Sequence, residues 1–249
     1  MTVTDVNVVK SAIFERPDDA NKGTLGSLLC VCGSYGMAGA EVMSAKGALR
    51  TGIGLAKCAL PRSIYLIVAQ TILESVYYPL SENADGRISK VNVPFLVSES
   101  CKSSATLVGC GLGVCDDTLK IVFSLIENST TPLVLDADAL NCVAKQPEIL
   151  LRKKAPIIIT PHPGEMSRLT GLATPLVNAE RERVALDFAQ KYGVVTVLKG
   201  AGTVIASPNG KVLVNPTGNS GMATGGSGDV LAGMTASILA QGASPFSSA

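Results

Sequence analysis

Gly225-Gly226-Ser227-Gly228-Asp229 runs straight into Val230-Leu231-Ala232-Gly233-Met234. The apolar residues have helical spacing, so a helix should begin at the carboxylate. A helix N-terminus carries unpaired N–H groups and partial positive charge and can hold a phosphate. The glycines let backbone approach that phosphate, and Asp229 can take a proton from a hydroxyl facing it. An anion hole beside a base is what phosphoryl transfer to an alcohol requires. A glycine-rich turn with Asp229 as a helix cap would use the same residues, so the rest of the chain must decide.

Five other segments carry the same kind of signal. Gly33-Ser34-Tyr35-Gly36-Met37-Ala38-Gly39-Ala40 opens a helix of small residues, which leaves room for a bulky ligand or for tight helix–sheet packing. It is not the GxGxxG pattern of a dinucleotide fold. Gly109-Cys110-Gly111-Leu112-Gly113 permits close backbone approach at alternate residues. Asp136-Ala137-Asp138 sets two carboxylates at a strand end, where Asp138 could cap the next helix and Asp136 could orient a substrate or hold hydrated Mg²⁺. Thr160-Pro161-His162-Pro163-Gly164-Glu165 fixes the only histidine between two prolines, with Glu165 entering a helix and able to reach a Mg²⁺–phosphate through water. Lys199-Gly200-Ala201-Gly202-Thr203 supplies one cation and several free backbone groups, suited to a nucleotide's ribose or phosphates.

The elements that position these segments alternate. Strands are expected at Leu25–Cys32, Leu55–Leu60, Ala105–Val108, Pro132–Leu135, Pro156–Thr160 and Val194–Leu198. Helices are expected at Ala38–Thr51, from Ile64, at Leu119–Asn128, at Asn178–Tyr192 and from Thr224. Thr203–Ala206 and Lys211–Val214 read as a hairpin turning at Pro208-Asn209-Gly210. The strands are continuous apolar runs, as in a parallel sheet buried on both faces. Every motif above follows a strand or opens a helix, so all converge on the edge where open α/β sheets bind ligands. One domain is expected over residues 1–249, with no linker or repeat.

Composition narrows the function. Hydrophobic content is 47%, charged content 16% and net charge +1, which fits a buried core and favours neither nucleic acid nor an anionic membrane. Trp is absent and aromatics are 4%, too few for single-strand stacking platforms. The most apolar region, Ile53 to Ala69, is broken by Lys57, Pro61 and Arg62, so no membrane span is expected. Seven scattered cysteines, none in a CxxC pair, and no signal peptide imply a reducing, cytoplasmic setting with the thiols as small hydrophobes. One histidine and no suitable cysteine spacing argue against zinc.

Taken together and in this order, the six motifs resemble the nucleotide-dependent NAD(P)H-hydrate dehydratases of the ribokinase-like superfamily. The residues that carry the resemblance are Gly36–Ala40, Val108–Gly113, Leu135–Asn141, Thr160–Glu165, Leu198–Thr203 and Gly225–Leu231. The Pro-His-Pro-Gly-Glu segment separates this family from ordinary vitamin kinases of the superfamily. The resemblance implies a three-layer α/β/α sandwich with a mostly parallel central sheet. It implies repair of hydrated NADH or NADPH with ADP, or ATP in other branches, releasing AMP and phosphate in the ADP case. Asp229 would be the base and the amides of Gly226, Ser227 and Gly228 the anion hole. Ala40, Gly111, Gly113, His162 and Asp229 would contact the hydrated dinucleotide. Lys199, Gly200, Ala201, Gly202, Thr203 and Gly228 would contact the adenine nucleotide, with Glu165 near Mg²⁺. A homotetramer and a separate epimerase in the same pathway are implied as well. Relatives usually continue past Ser244-Pro245-Phe246 with another helix, so this chain is expected to lack the last one. A pyrimidine or thiazole alcohol kinase and a non-catalytic nucleotide-binding protein stay open as alternatives.

Overall fold

The computed structural model describes residues 2–3, 10 and 16–249. The strands are β1 (Thr2–Val3), β2 (Ser27–Val31), β3 (Leu55–Pro61), β4 (Val76–Leu80), β5 (Ala105–Val108), β6 (Leu133–Leu135), β7 (Ile157–Ile159), β8 (Val195–Leu198), β9 (Thr203–Ala206) and β10 (Val212–Asn215). The α-helices are α1 (Ala38–Thr51), α2 (Tyr65–Ala69), α3 (Val93–Lys102), α4 (Asp116–Asn128), α5 (Asp138–Val143), α6 (Pro163–Thr170), α7 (Thr174–Ala179), α8 (Arg181–Tyr192), α9 (Ser227–Ala240) and α10 (Pro245–Ser248). All ten strands form one sheet in the order β1-β10-β9-β8-β7-β6-β5-β2-β3-β4, and only β9 runs antiparallel to its neighbours. The expected mostly parallel α/β architecture is what the chain adopts.

Period-two alternation divides the core. Leu28 and Cys30 of β2 face one helical layer, and Leu29 and Val31 face the other. The first layer is α1 and α9, which pack unusually closely. A Cβ built on Gly233 would lie 2.0 Å from the Ser44 carbonyl oxygen, and one on Gly47 would lie 2.7 Å from that of Val230. The Ser237 hydroxyl donates to the Ala48 carbonyl across the same seam at 3.0 Å. Gly47 and Gly233 thus set the depth at which α9 sits on α1.

Several expected boundaries shift. The long helix over Asn178–Tyr192 is two helices, α7 and α8, broken at Glu180 (φ −124°, ψ 41°). The helix at Leu119 begins three residues earlier, where Asp116 and Asp117 favour a first turn. β3 runs through Pro61 instead of stopping before it. Strand β4 and helix α3 were not expected. Pro79 lies in β4, in register with Leu60 of β3, and β4 is the sheet's edge, the place in a sheet where proline is tolerated.

Candidate active site

Strand order reverses between β2 and β5, so a crevice opens beyond their carboxyl ends. The Gly33 amide donates to the Cys110 carbonyl at 2.8 Å, and the Ser34 hydroxyl to the Gly111 carbonyl at 2.8 Å, joining the two glycine segments there. Ala40 and Gly111 meet: a Cβ on Gly111, whose φ is +64°, would lie 2.7 Å from the Ala40 Cβ. Gly113 sits farther out, against Arg87, and its amide donates to Asp138 Oδ2 at 2.8 Å. Asp138 therefore does not cap α5, as the sequence suggested it could. The cap position is Ala137, with no side-chain bond.

A second group lies at the ends of β6, β7 and β8 and the start of α9. Gly226 takes the N-cap position in the left-handed region (φ +88°), so Asp229 falls at the third residue of α9 and does not cap it. Among the described residues the Gly228 amide meets no acceptor, whereas the Ser227 amide points at the Thr224 carbonyl, 3.5 Å away. The first turn of α9 is thus open to an anion. Asp229 is half-buried, and burial raises its carboxyl above the ordinary range. The Cys110 thiol and Lys199 pull the other way, while Asp136 and Asp138 add to the rise.

Lys199 reaches this turn. Its Nζ lies 2.7 Å from Asp136 Oδ1 and 3.5 Å from the point a Cβ on Gly228 would occupy. The following turn closes on itself, as the Thr203 hydroxyl donates to the Gly200 carbonyl at 2.9 Å and accepts from its amide at 3.3 Å. Arg181 donates to the Leu198 and Lys199 carbonyls at 2.7 Å and 3.0 Å, pinning the end of β8. Ala201 is exposed, and Gly202 lines a hollow of about 640 Å³ bounded by the α7–α8 junction, Val204 and Val214.

His162 does two things at once. Its Nδ1 accepts from the amides of Gly164 (3.0 Å) and Glu165 (3.4 Å), and Glu165 Oε2 accepts from the His162 amide at 2.8 Å. This reciprocal cap starts α6. An accepting Nδ1 puts the ring proton on Nε2. Burial, then Lys199 and Arg168, lowers the ring's pKa, so it stays neutral at pH 7. The other ring nitrogen, Nε2, lies 3.4 Å from Glu165 Oε1, and 51% of the His162 side chain is exposed. Glu165 is buried, which raises its pKa. Sequence reading missed Cys110. Flanked by Gly109 and Gly111, its buried thiol lies 4.0 Å from Asp136 Oδ2 and beside Asp229. A single side chain between two glycines at a strand end is the signal that marks it.

Among the described residues no three metal-ligating side chains converge, and no helix is long and apolar enough to cross a membrane. All seven cysteines are free.

Residues 28–249 match the Carb_kinase family model, described as NAD(P)H-hydrate dehydratase. The bifunctional NAD(P)H-hydrate repair enzyme Nnr of Moorella thermoacetica is 39% identical over 236 residues, 95% of this chain and 44% of that one. The ADP-dependent (S)-NAD(P)H-hydrate dehydratase of Neisseria meningitidis serogroup B is 36% identical over 242 residues, 94% of this chain and 76% of that one. The solved structure of the ADP/ATP-dependent NAD(P)H-hydrate dehydratase of Bacillus subtilis, co-crystallised with ATP and Mg²⁺, superposes with a TM-score of 0.84 at 30% identity, covering 99% of this chain and 84% of that one. The chain spans less than half the length of the bifunctional relatives it matches. The chain belongs to the NAD(P)H-hydrate dehydratase family.

Proposed function

We propose that the chain is an ADP-dependent (S)-NAD(P)H-hydrate dehydratase. It takes NADH or NADPH whose nicotinamide ring has added water and returns the reduced dinucleotide, with AMP, phosphate and a proton. The observation that carries this reading is Asp229 at the third residue of α9, beside the open Gly228 amide and the Lys199 ammonium.

Asp229 accepts the proton of the ring hydroxyl, and that oxygen attacks the terminal phosphorus of ADP. Its raised pKa makes it a stronger base than an ordinary carboxylate. The amides of Gly226, Ser227 and Gly228 and the Lys199 ammonium stabilise charge on the transferred phosphoryl oxygens. Phosphate then leaves the ring far more readily than hydroxide, expelled by the ring nitrogen's lone pair. Loss of a neighbouring proton restores the double bond. Ala40, Gly111 and Gly113 line the dinucleotide's place in the crevice, and the exposed face of His162 borders it. Lys199 to Thr203 and Gly228 receive the adenine nucleotide.

Mg²⁺ fits this edge of the sheet. Its donors are carboxylates, too few for a protein cage, and Mg²⁺ is commonly held by one or two carboxylates plus substrate phosphates. Glu165 would hold it through water, and the bound ion would neutralise charge on the phosphates. We place the protein in the cytoplasm as a homotetramer, with the epimerase that supplies the S form as a separate activity; the bifunctional name of its relatives supports that coupling.

The test is absorbance in the reduced-nicotinamide band with hydrated NADH, Mg²⁺ and ADP, with ATP in a parallel cuvette. A nucleotide-dependent rise that is lost by about 10²–10⁴-fold in a folded Asp229→Asn variant supports the reading. A stable phosphate ester in place of free phosphate would point to a kinase.

A further inference from the structure

Lys199 is bound to a carboxylate that takes no part in the chemistry above. Asp136 is 2% exposed, and its Oδ1 receives the Lys199 ammonium at 2.7 Å across 63 residues of sequence. Its other oxygen lies 4.0 Å from the Cys110 sulfur and 3.9 Å from the point a Cβ on Gly228 would occupy. The pair therefore spans the ends of β6 and β8 and abuts the first turn of α9.

The backbone is bent to achieve this. Ala137, directly after Asp136, has φ 49° and ψ −115°, the only positive φ at a non-glycine residue among those described. Such conformations persist where the surroundings over-determine them, and they cluster at functional sites. The bend sends the two flanking carboxylates apart, Asp138 to the Gly113 amide and Asp136 to Lys199. A buried ion pair is weak evidence of a stabilising role, because desolvation offsets the attraction. A lysine that must meet a phosphate gains from being held, because its flexible stem otherwise loses rotamer freedom on binding.

We propose that Asp136 is a positioning residue of the phosphoryl-transfer centre, holding the Lys199 ammonium against the first turn of α9 where it meets the nucleotide's terminal phosphate. This rests on the dehydratase reading only in that a nucleotide phosphate occupies that turn. The groups that face Asp229 there are Cys110 from the end of β5, Asp136 and Asp138 from the end of β6, and Lys199 from the end of β8. Asp136 and Lys199 act on Asp229 with opposite sign, so removing each should move the acid limb of the pH–rate profile in opposite directions.

The experiment is calorimetric titration of the full chain with Mg²⁺–ADP and with AMP, in wild type, Asp136→Asn, Lys199→Gln and the double variant. Each single variant should weaken ADP by roughly tenfold or more, the scale of one charge-assisted hydrogen bond, and AMP much less. The double variant should bind ADP no more weakly than Lys199→Gln alone. In turnover of hydrated NADH, the acid limb should move to lower pH in Asp136→Asn and to higher pH in Lys199→Gln. Unchanged ADP affinity in folded Asp136→Asn, or losses that add in the double variant, would overturn the proposal. If Asp136→Asn does not fold, Asp136→Glu keeps the charge but displaces it, and the same loss is expected. The binding arm uses no hydrated dinucleotide. Wild type that binds ADP without turning over hydrated NADH would refute the dehydratase reading, while non-additivity would still judge the positioning role.

Discussion

Replacing Glu41 by glutamine should stabilise the protein, and more so as the pH rises. Glu41 lies on α1 with 0% exposure, and neither carboxylate oxygen makes a hydrogen bond of good geometry, although the Cys58 thiol and the Cys32 backbone lie close to it. Burial pushes its pKa to about 8, with the Cys58 thiol and the Cys32 backbone pulling it partly back. The unfolded chain ionises this group above its ordinary value of 4.5, whereas the folded chain holds it neutral to about 8. Between those values the folded state binds more protons, so stability falls as pH rises and levels off above about 8. At about 1.4 kcal/mol per pH unit, the penalty reaches roughly 3 kcal/mol at pH 7 and 4–5 kcal/mol when fully developed. Glutamine matches the shape and cannot ionise. Glu41→Gln should thus lie close to wild type near pH 5 and pull ahead by roughly 3–4 kcal/mol at pH 8. Urea unfolding of both proteins at several pH values measures the difference, in which all other titrating groups cancel. Parallel stability profiles, with a constant gap from pH 5 to 8, would refute the argument and mean that Glu41 finds water or a partner.

Three further outcomes are expected. Gly233→Ala should destabilise by about 1–3 kcal/mol, because its Cβ would meet the Ser44 carbonyl oxygen at 2.0 Å; Gly39→Ala, whose nearest neighbour is the end of Met43 at 3.9 Å, should be neutral or stabilising by up to about 1 kcal/mol, and thermal melts compare them. His162→Asn should keep the cap of α6 and melt within a few degrees of wild type, yet lose turnover, whereas unaltered turnover would reduce the imidazole to a cap. Ala137→Gly should relieve the bend after Asp136 and raise stability by about 1 kcal/mol in urea titration, since glycine adopts that conformation freely.

Much of the candidate site's local structure was legible in the chain because its signals are local. A glycine run ahead of a helical repeat needs only the helix terminus to become an anion site, and Gly225–Asp229 is where α9 begins. The Pro-His-Pro-Gly-Glu segment announces a rigid helix start, although its reciprocal cap shows only in coordinates, since it depends on which imidazole nitrogen faces the backbone. Apolar runs marked the central strands, because a sheet covered on both faces leaves no polar register to read. That same uniformity hid their order. The reversal between β2 and β5, which joins Ala40 to Gly111, follows from which strands pair and not from any one strand's residues. The edge strand β4 was hidden by Pro79, and the break at Glu180 by a helical pattern that continues across it.

The sequence by itself determined the fold class and the family and set the Asp229 carboxylate at a glycine-rich helix start, because these rest on residue types within a few positions of one another. Tertiary structure decided what surrounds that carboxylate. The Asp136–Lys199 pair closes over 63 residues, the Cys110 thiol comes from a third strand, and the seat of α9 depends on Gly47 and Gly233 meeting another helix's carbonyls. Each is a contact between segments distant in the chain, and burial and charge act on Asp229 only once those contacts exist.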